Sequence, residues 1–543
     1  MGIEARMSNH LYYGDNLDIL RNNIAAESVD LVYLDPPFNS QANYNILFKA
    51  PSGQQSKAQI EAFEDTWHWN EHAETAFDEV MHGGNADAAE MLRAMRSFLK
   101  ENDMMAYLTM MAIRLIELHR VLKPTGSIYL HCDPTASHFL KVLMDAIFGP
   151  ANYRAELIWR RTNARGTTGM WPRVHDVIFC YSKSAKFTFH ALKVKADKSK
   201  MPHTLITGPD GEKYQTFELT APGQTKDGDS GKPWRSFDPN IYLRHWGNSH
   251  SQMDEWDKGG LIHWPKDGGF PRRLAQEPFD PDSREVTVGD VWTDIDRLNQ
   301  TAKERLGYPT QKPLALLERI IVASSVDGDL ILDPFCGCGT TIHAAQKLDR
   351  KWIGIDITHL AISLIEKRLN DAFPGIEYTV HGTPKDLEGA HALAEQDKYQ
   401  FQWWAVSLIN AVPYGGKKKG ADSGIDGFVY FKPDGKTTEK AIVSVKGGEN
   451  VNVAMIRDMG HVVDREKAKV GIFITLADAT GPMKTEAVKA GFYETPHHGK
   501  VPKLQILTIA DLFAGKKPQI PFVDATSFKA APREDTTKQG SLL

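Results

Sequence analysis

One stretch constrains this chain more than any other: DLILDPFCGCGTTIHAAQKLDRKWIGIDI, Asp329–Ile357. An apolar run ends on Asp333, two glycines follow, a helical pattern begins, and a second apolar run ends on Asp356. Glycines between a strand and a helix, here Gly337 and Gly339, let backbone N–H groups approach a ligand closely at a helix N-terminus. An acid about twenty residues on, closing the next strand, can accept both hydroxyls of a ribose. The pattern predicts a nucleoside-cofactor site on an α/β sheet.

The rest of the chain fits around such a sheet. At 543 residues it exceeds one ordinary core, so two or three domains are expected. Strand-like runs at Leu31–Leu34, Ser127–His131 and Val177–Tyr181 alternate with helical patterns, the clearest at about Met104–Leu122. A second strand-helix-strand block runs from about Pro309 to Ala372, and the alternation predicts a parallel sheet covered on both faces. The segment from Ser184 to Gly289 is irregular and rich in Gly, Pro, Trp and charge. After about Gly382 the pattern resets into a small α/β domain. The expected divisions are 1–183, 184–300, 301–382, 383–525 and a disordered tail, 526–543. No apolar run is long enough to span a bilayer, and the N-terminus lacks a secretory pattern. Cys132, Cys180, Cys336 and Cys338 form no Cys-x-x-Cys pair, which argues against a zinc site or disulfide scaffold and for a reducing cytoplasm.

The glycine turn has companions upstream. Asp35-Pro36-Pro37-Phe38 follows a strand-like run, and Tyr-Pro-Thr-Gln-Lys-Pro stands at Tyr308–Pro313, just before Asp333-Pro334-Phe335-Cys336-Gly337-Cys338-Gly339-Thr340. In this order the three motifs resemble the amino-methyltransferases of DNA, specifically the β class with permuted motifs, over about Leu11 to Leu369. The resemblance implies a Rossmann-like sheet, S-adenosyl-L-methionine as cofactor and double-stranded DNA as partner. An exocyclic base amine is a poor nucleophile because its lone pair is delocalised. The Asp35 carboxylate and the Pro36 carbonyl would accept its hydrogens and favour a tetrahedral nitrogen. Pro36 and Pro37 would stiffen the turn, and Phe38 would stack on a base swung out of the duplex. In the same resemblance Asp333 takes the amino group of the cofactor, and Thr310, Gln311 and Lys312 take its carboxylate. Phe335, Gly337, Gly339, Thr340 and Asp356 line its pocket. Asp15 stands equally well facing the cofactor adenine or capping a helix. His131 and Asp133 read as structural, and His175 as a residue that positions the target strand.

The resemblance favours adenine N6 over cytosine N4, since aspartate in the first catalytic position is usual for adenine. The net charge of −5 hides a local excess of eleven Lys/Arg over three Asp/Glu between Ala151 and Lys200. Arg160, Arg161 and Arg165 there, with Arg235, Arg244, Arg272 and Arg273 of the irregular segment, are the expected DNA-binding residues. Trp234, Trp246, Trp256 and Trp264 suit either base contacts or the core of a loop-rich subdomain.

The C-terminal region carries GIDGFVYF and KAIVSVKGG. These resemble the Mrr-type restriction-endonuclease-like fold, in which Asp426 and a second acid would hold Mg²⁺ while Lys446 orients water. Ser444 occupies the place of that second acid. Gln402 stands where an acid could have assisted, and Asp422 or Glu439 is left to compensate. Cleavage is therefore not favoured, and Asp426 is a metal ligand only if the site is active. The reading is a cytoplasmic adenine-specific DNA methyltransferase. Its rival is a single-chain restriction–modification enzyme; a non-catalytic DNA-binding regulator and an RNA or protein methyltransferase are remoter. A homodimer and a separate restriction subunit are admitted as partners, although no interface signature is visible.

Overall fold

The computed structural model describes residues 9–37, 43–49, 55–64, 68–164, 169–195, 205–208, 211–225, 228–266, 268–280, 285–299, 302–306, 308, 310–414, 424–434, 436–495, 499–520 and 531–534, with backbone alone for 43–64. Phe38, Arg165 and Asp422 lie outside the described residues, as does most of the expected disordered tail. Two compact units form, one from 1–190 with 290–543 and the other from 191–289.

The first unit is built on a nine-stranded sheet. Its order is Val291–Trp292, Tyr153–Arg160, His175–Ser182, Leu122–Cys132, Val29–Leu34, Leu330–Asp333, Lys351–Asp356, Asn9–Tyr13 and Tyr378–His381. The strands from Leu122–Cys132 to Tyr378–His381 are all parallel. His175–Ser182 is antiparallel to both its neighbours, so the sheet is mixed and not wholly parallel as the alternation suggested. Among the described residues no helix lies between Tyr153–Arg160 and His175–Ser182, where a parallel crossover would usually carry one.

Helices then cover the sheet. Asp103–Val121 starts where Asn102 accepts a hydrogen bond from Met105 N at 2.9 Å, and it is buried along most of its length. Leu115 and Leu118 join Val32, Leu34, Ile128, Leu130, Leu332 and Ile355 in the main core. One acid is sunk into this apolar frame. Asp30 accepts Lys123 Nζ at 2.7 and 2.8 Å and Leu330 N at 2.9 Å, so a single carboxylate ties three adjacent strands together.

The C-terminal region forms a five-stranded sheet ordered Val412–Pro413, Gly427–Phe431, Glu439–Lys446, Val470–Thr475 and Leu504–Thr508. It does not stand apart from the first sheet. Trp403, Phe428, Ile456 and Met459 share one buried cluster with Tyr308, Cys338, Leu360 and Leu364. Residues 531–534 depart from the expected disorder. Glu534 N donates to Ala372 O at 3.0 Å, and the Glu534 carboxylate meets His343 Nε2 at 2.9 Å and Lys347 Nζ at 3.5 Å.

The second unit, 191–289, is narrower than the expected 184–300. It carries a four-stranded sheet, two strand pairs and the helix His250–Lys258 around Leu219, Trp234, Trp246, Met253 and Ile262. No helix among the described residues is long and apolar enough to cross a membrane.

Replacing Asp30 with alanine leaves the Leu330 N–H without its acceptor and removes the ion pair of the partly exposed Lys123. The expected loss is about 1–2 kcal/mol of unfolding free energy. A change below about 0.5 kcal/mol in chemical denaturation of the full chain contradicts the tie.

Candidate functional site

The parallel strands end on one edge of the sheet, and carboxylates collect there. Asp35 follows Val29–Leu34 directly, Asp333 and Asp356 are the last residues of their strands, and Asp15 stands two residues beyond Asn9–Tyr13. All four line one cleft of about 240 Å³ outside the carboxyl ends of the strands.

The glycine turn forms its floor. Gly337 and Gly339 have φ of +49° and +74°, in the left-handed region that side chains avoid. A Cβ on Gly339 would lie 2.8 Å from Ile365, and one on Gly337 would lie 3.3 Å from the Tyr308 ring. Gly339 N donates to Cys336 O at 2.7 Å, and Thr340–Lys347 follows as a helix. Arg368, fully buried, braces this turn from beneath by donating to Cys338 O and the Thr340 hydroxyl, both at 3.1 Å.

Asp356 organises the adjoining wall. Its Oδ2 accepts Gly337 N at 2.9 Å, and its Oδ1 accepts Thr358 N and Thr358 Oγ1, both at 2.9 Å. Its backbone carbonyl accepts Gly14 N at 3.0 Å. Enclosure by protein raises its pKa to about 6 against those hydrogen bonds. Asp333 is 3% exposed, and its Oδ1 accepts Phe335 N at 3.0 Å. Burial raises it to about 7, opposed by the Thr341 hydroxyl and the Phe335 N–H, with Asp35 and Asp356 pushing it further up.

Three of the expected cofactor residues, all lining the cleft, are engaged by partners within the chain. Asp15 caps the helix Asn16–Asn23, accepting Leu17 N at 2.7 Å. It also pairs with the buried Arg114 at 3.0 Å, and it still lines the cleft. Gln311 spends its side-chain amide on the chain before it, accepting Leu306 N at 2.7 Å and donating to Glu304 O at 2.6 Å. Those backbone groups need partners, so the carbonyl oxygen and one N–H of the amide are engaged within the loop. Lys312, 9% exposed, forms an ion pair with Asp35 Oδ2. Thr310, Phe335 and Thr340 line the cleft.

On the catalytic turn, Pro36 is buried and Pro37 lines the cleft. Asp35 Oδ1 is inaccessible to solvent and has no hydrogen-bond partner among the described residues. Beneath the turn the Tyr33 hydroxyl meets His131 Nδ1 at 2.9 Å, His131 Nε2 meets Asp176 Oδ2 at 3.2 Å, and Arg161 Nε lies 3.2 Å from Asp176 Oδ1. Burial alone would raise Asp176, but the hydrogen bond from His131 and the charges of His131, Lys312 and Arg161 bring it below the ordinary carboxylate range. Asp133 closes a local turn onto Thr135, and His175 opens the strand His175–Ser182 beside Arg160.

Arg160 and Arg161 share a second, polar hollow of about 180 Å³ with Asn163, Arg297 and Asn299. In the second unit Trp234 and Trp246 are core residues. Arg235 pairs with Asp254 and Asp257, Arg244 and Arg272 with Glu218, and Arg273 covers the Trp256 ring at 4.4 Å. Sequence reasoning missed Tyr33, Arg114, Asp176, Arg297 and Arg368. Only Tyr33, two residues before Asp35 on a buried strand, carried a local signal.

In the C-terminal sheet Asp426 Oδ2 accepts Val445 N at 2.6 Å and Ser444 Oγ at 3.4 Å. Lys446 ends that strand. Glu439 starts the same strand, five residues or about 17 Å from Ser444, too far to replace the second acid. No cluster of three metal-binding side chains occurs among the described residues.

A strand-end cleft with a glycine turn, a ribose-type acid and a second buried carboxylate defines an α/β protein that handles a nucleoside cofactor. The chain belongs to the DNA methylase family, whose model matches residues 29–367. Residues 393–493 match the restriction endonuclease family model. The chain is 34% identical over 265 residues to the type II methyltransferase M.EcaI of Enterobacter cloacae, covering 48% of this chain and 57% of that one. It is 25% identical over 363 residues to the StyLTI Mod subunit, a type III restriction-modification enzyme of Salmonella typhimurium, covering 64% and 51%. It is 43% identical over 97 residues to the DNA adenine methyltransferase YhdJ of Escherichia coli, covering 18% and 33%. The chain thus spans little more than half the length of M.EcaI and of the StyLTI Mod subunit.

The raised pKa of Asp333 has a consequence for stability. A carboxyl raised from its unfolded value near 3.8 to about 7 favours folding below the lower value and loses that contribution as pH rises through the higher one. Asp333→Asn is therefore expected to raise the unfolding temperature of the ligand-free protein at pH 8 by roughly 2–5 °C, with the gain gone by about pH 4. Calorimetry across that range checks it, and an equal shift at both ends contradicts the assignment.

Proposed function

We propose that this chain methylates the exocyclic amine of a base in duplex DNA, using S-adenosyl-L-methionine, with adenine N6 as the target. The observation that carries the reading is the unpartnered Asp35 Oδ1, a buried carboxylate oxygen on a residue that lines the same cleft as the glycine turn and Asp356. A buried acceptor without a donor is costly, and a base amine is the donor that would satisfy it.

The residues present fit the cofactor. Asp356 would take its ribose hydroxyls, the turn at Gly337 and Gly339 gives it room, and Asp333 would take its ammonium, which favours the ionised carboxyl that burial opposes. When bound, the cofactor supplies an electrophilic methyl group on a sulfonium. Asp35 Oδ1 and the Pro36 carbonyl would accept the two amine hydrogens, turning the nitrogen lone pair out of the ring plane. As positive charge develops on nitrogen those acceptors would hold it more strongly, and Asp35 Oδ1 would receive the proton that must leave. Pairing hides the amine inside the duplex, so the base must be extruded to reach Asp35, and Phe38 is the residue assigned to stack on it. The exposed arginines Arg160 and Arg297, with Arg161, are assigned to the DNA backbone. The adenine reading rests on the aspartate of the turn and on the likeness to YhdJ; cytosine N4 is the second reading.

For the C-terminal domain we propose DNA binding or protein docking without cleavage. One carboxylate, a serine hydroxyl and a lysine are a poor donor set for Mg²⁺, which prefers several carboxylate and water oxygens.

The test is methyl-resolved sequencing of duplex DNA treated with the purified protein and S-adenosyl-L-methionine. N6-methyladenine at a defined motif is expected, with the rate in Asp35→Ala at least about 10³-fold lower. N4-methylcytosine would move the target to cytosine, and unmodified DNA despite cofactor binding would overturn the reading. Unmethylated DNA incubated with the same protein and Mg²⁺ is expected to stay intact. Cleavage that Lys446→Ala abolishes would establish the nuclease instead.

A further inference from the structure

The Lys312 side chain deepens the proposed function and rests on it. The lysine sits in Thr310-Gln311-Lys312-Pro313, and the structure pins both its neighbours. Gln311 is clamped to Glu304 and Leu306, and Pro313 is the N-cap of the helix Leu314–Ser324, whose first N–H donates to Glu304 Oε2 at 3.1 Å. The stem of Lys312 therefore leaves a fixed point of the backbone and runs through protein, 9% exposed, to end on Asp35 Oδ2.

We propose that Lys312 is the positioning residue of the catalytic carboxylate: its ammonium occupies Asp35 Oδ2 so that Oδ1 alone is offered to the base amine. The two oxygens of Asp35 have unequal surroundings, since Oδ2 holds the lysine and Oδ1 holds nothing among the described residues. That inequality has chemical value. A carboxylate with both oxygens open can take both hydrogens of a planar amine, which keeps the lone pair conjugated with the ring. With one oxygen filled, the amine must divide its hydrogens between Oδ1 and the Pro36 carbonyl, the arrangement that turns the lone pair outward. The cation also answers a local need. Asp333 and Asp176 lie close enough to feel these charges, Asp333 being pushed up by Asp35 and Asp176 drawn down by Lys312. Arg114 and Arg368, further buried cations here, are engaged by Asp15 and Asn16 and by the glycine turn respectively. Lys312 thus acts through Asp35, and its placement differs from a role on the cofactor carboxylate.

The two roles separate in kinetics. In the full chain, Lys312→Met is expected to leave the dissociation constant for S-adenosyl-L-methionine within about twofold while slowing single-turnover methyl transfer to duplex DNA about 100-fold. Lys312→Arg, which keeps the charge, is expected to recover at least about a tenth of the parent rate. A Lys312→Met variant with cofactor affinity weakened tenfold or more, and an unchanged single-turnover rate at saturating cofactor, would overturn the proposal in favour of the cofactor carboxylate. If that variant does not fold, a crystal structure of the parent chain with S-adenosylhomocysteine decides. Nζ within about 3.2 Å of Asp35 Oδ2 supports the proposal, and Nζ moved onto the ligand carboxylate refutes it. A parent enzyme that leaves all DNA unmethylated defeats the proposed function itself, whereas rapid methylation by Lys312→Met defeats only the role given to the lysine.

Discussion

The site depends on acids crowded at the C-terminal ends of neighbouring parallel strands. Left to themselves, Asp35, Asp333, Asp356 and Asp15 would repel one another and resist ionisation in an apolar surround. The chain meets this in two ways. Arg114 neutralises Asp15, Lys312 neutralises Asp35, and backbone N–H groups of the glycine turn and of Thr358 support Asp356. Asp333 gets less support and stays nearest to a protonated acid. The remaining features of the edge follow from these arrangements: the strained glycines bring N–H groups within reach, and Gln311 fixes the loop that carries the lysine.

How much of this was legible follows from where the information lies. The strand ends, the glycine turn and the catalytic turn could be read because each is a contiguous stretch whose residue types have a local reason. The helix Asp103–Val121 matches its apolar spacing to within a residue at each end for the same reason. Lys312 and Gln311 were found as a motif but their partners were not, since Asp35 lies 277 residues from Lys312 and nothing in either stretch shows that they meet. Arg114, Asp176 and Arg368 left no local trace: each is a polar residue in an otherwise apolar or ordinary context whose purpose appears only when distant strands pair. The tryptophans of the second unit left two readings open, base contacts or a loop-rich core, because composition alone does not say which rings are buried. An aromatic-plus-arginine mixture suits nucleic acid, yet two of the four tryptophans are core, and the arginines are engaged by their own unit's acids and rings.

The reversal of His175–Ser182 bears on the site as well. Because that strand runs against Leu122–Cys132, its beginning lies beside the end of its neighbour, where Val177 pairs with Cys132. Asp176 is thereby brought to the catalytic edge under Tyr33, and Arg161 follows it. A fully parallel sheet would have carried that acid to the opposite edge, so the departure from the expected topology supplies part of the site's second layer.

The buried cluster shared by the two sheets makes them thermodynamic partners. Tyr308 and Cys338 belong both to the cofactor cleft and to the apolar interior that Trp403, Phe428 and Met459 complete. Gln400 reaches across to accept the N–H of His359, whose ring stacks on Tyr13 at 3.6 Å. An endonuclease-like sequence attached in this way is no longer a detachable cargo. Peeling it off would put Leu360, Leu364 and one wall of the cleft in water, so cleft occupancy and the melting of the distal sheet draw on one free energy. Two regions that sequence families describe separately share, in this chain, one apolar interior.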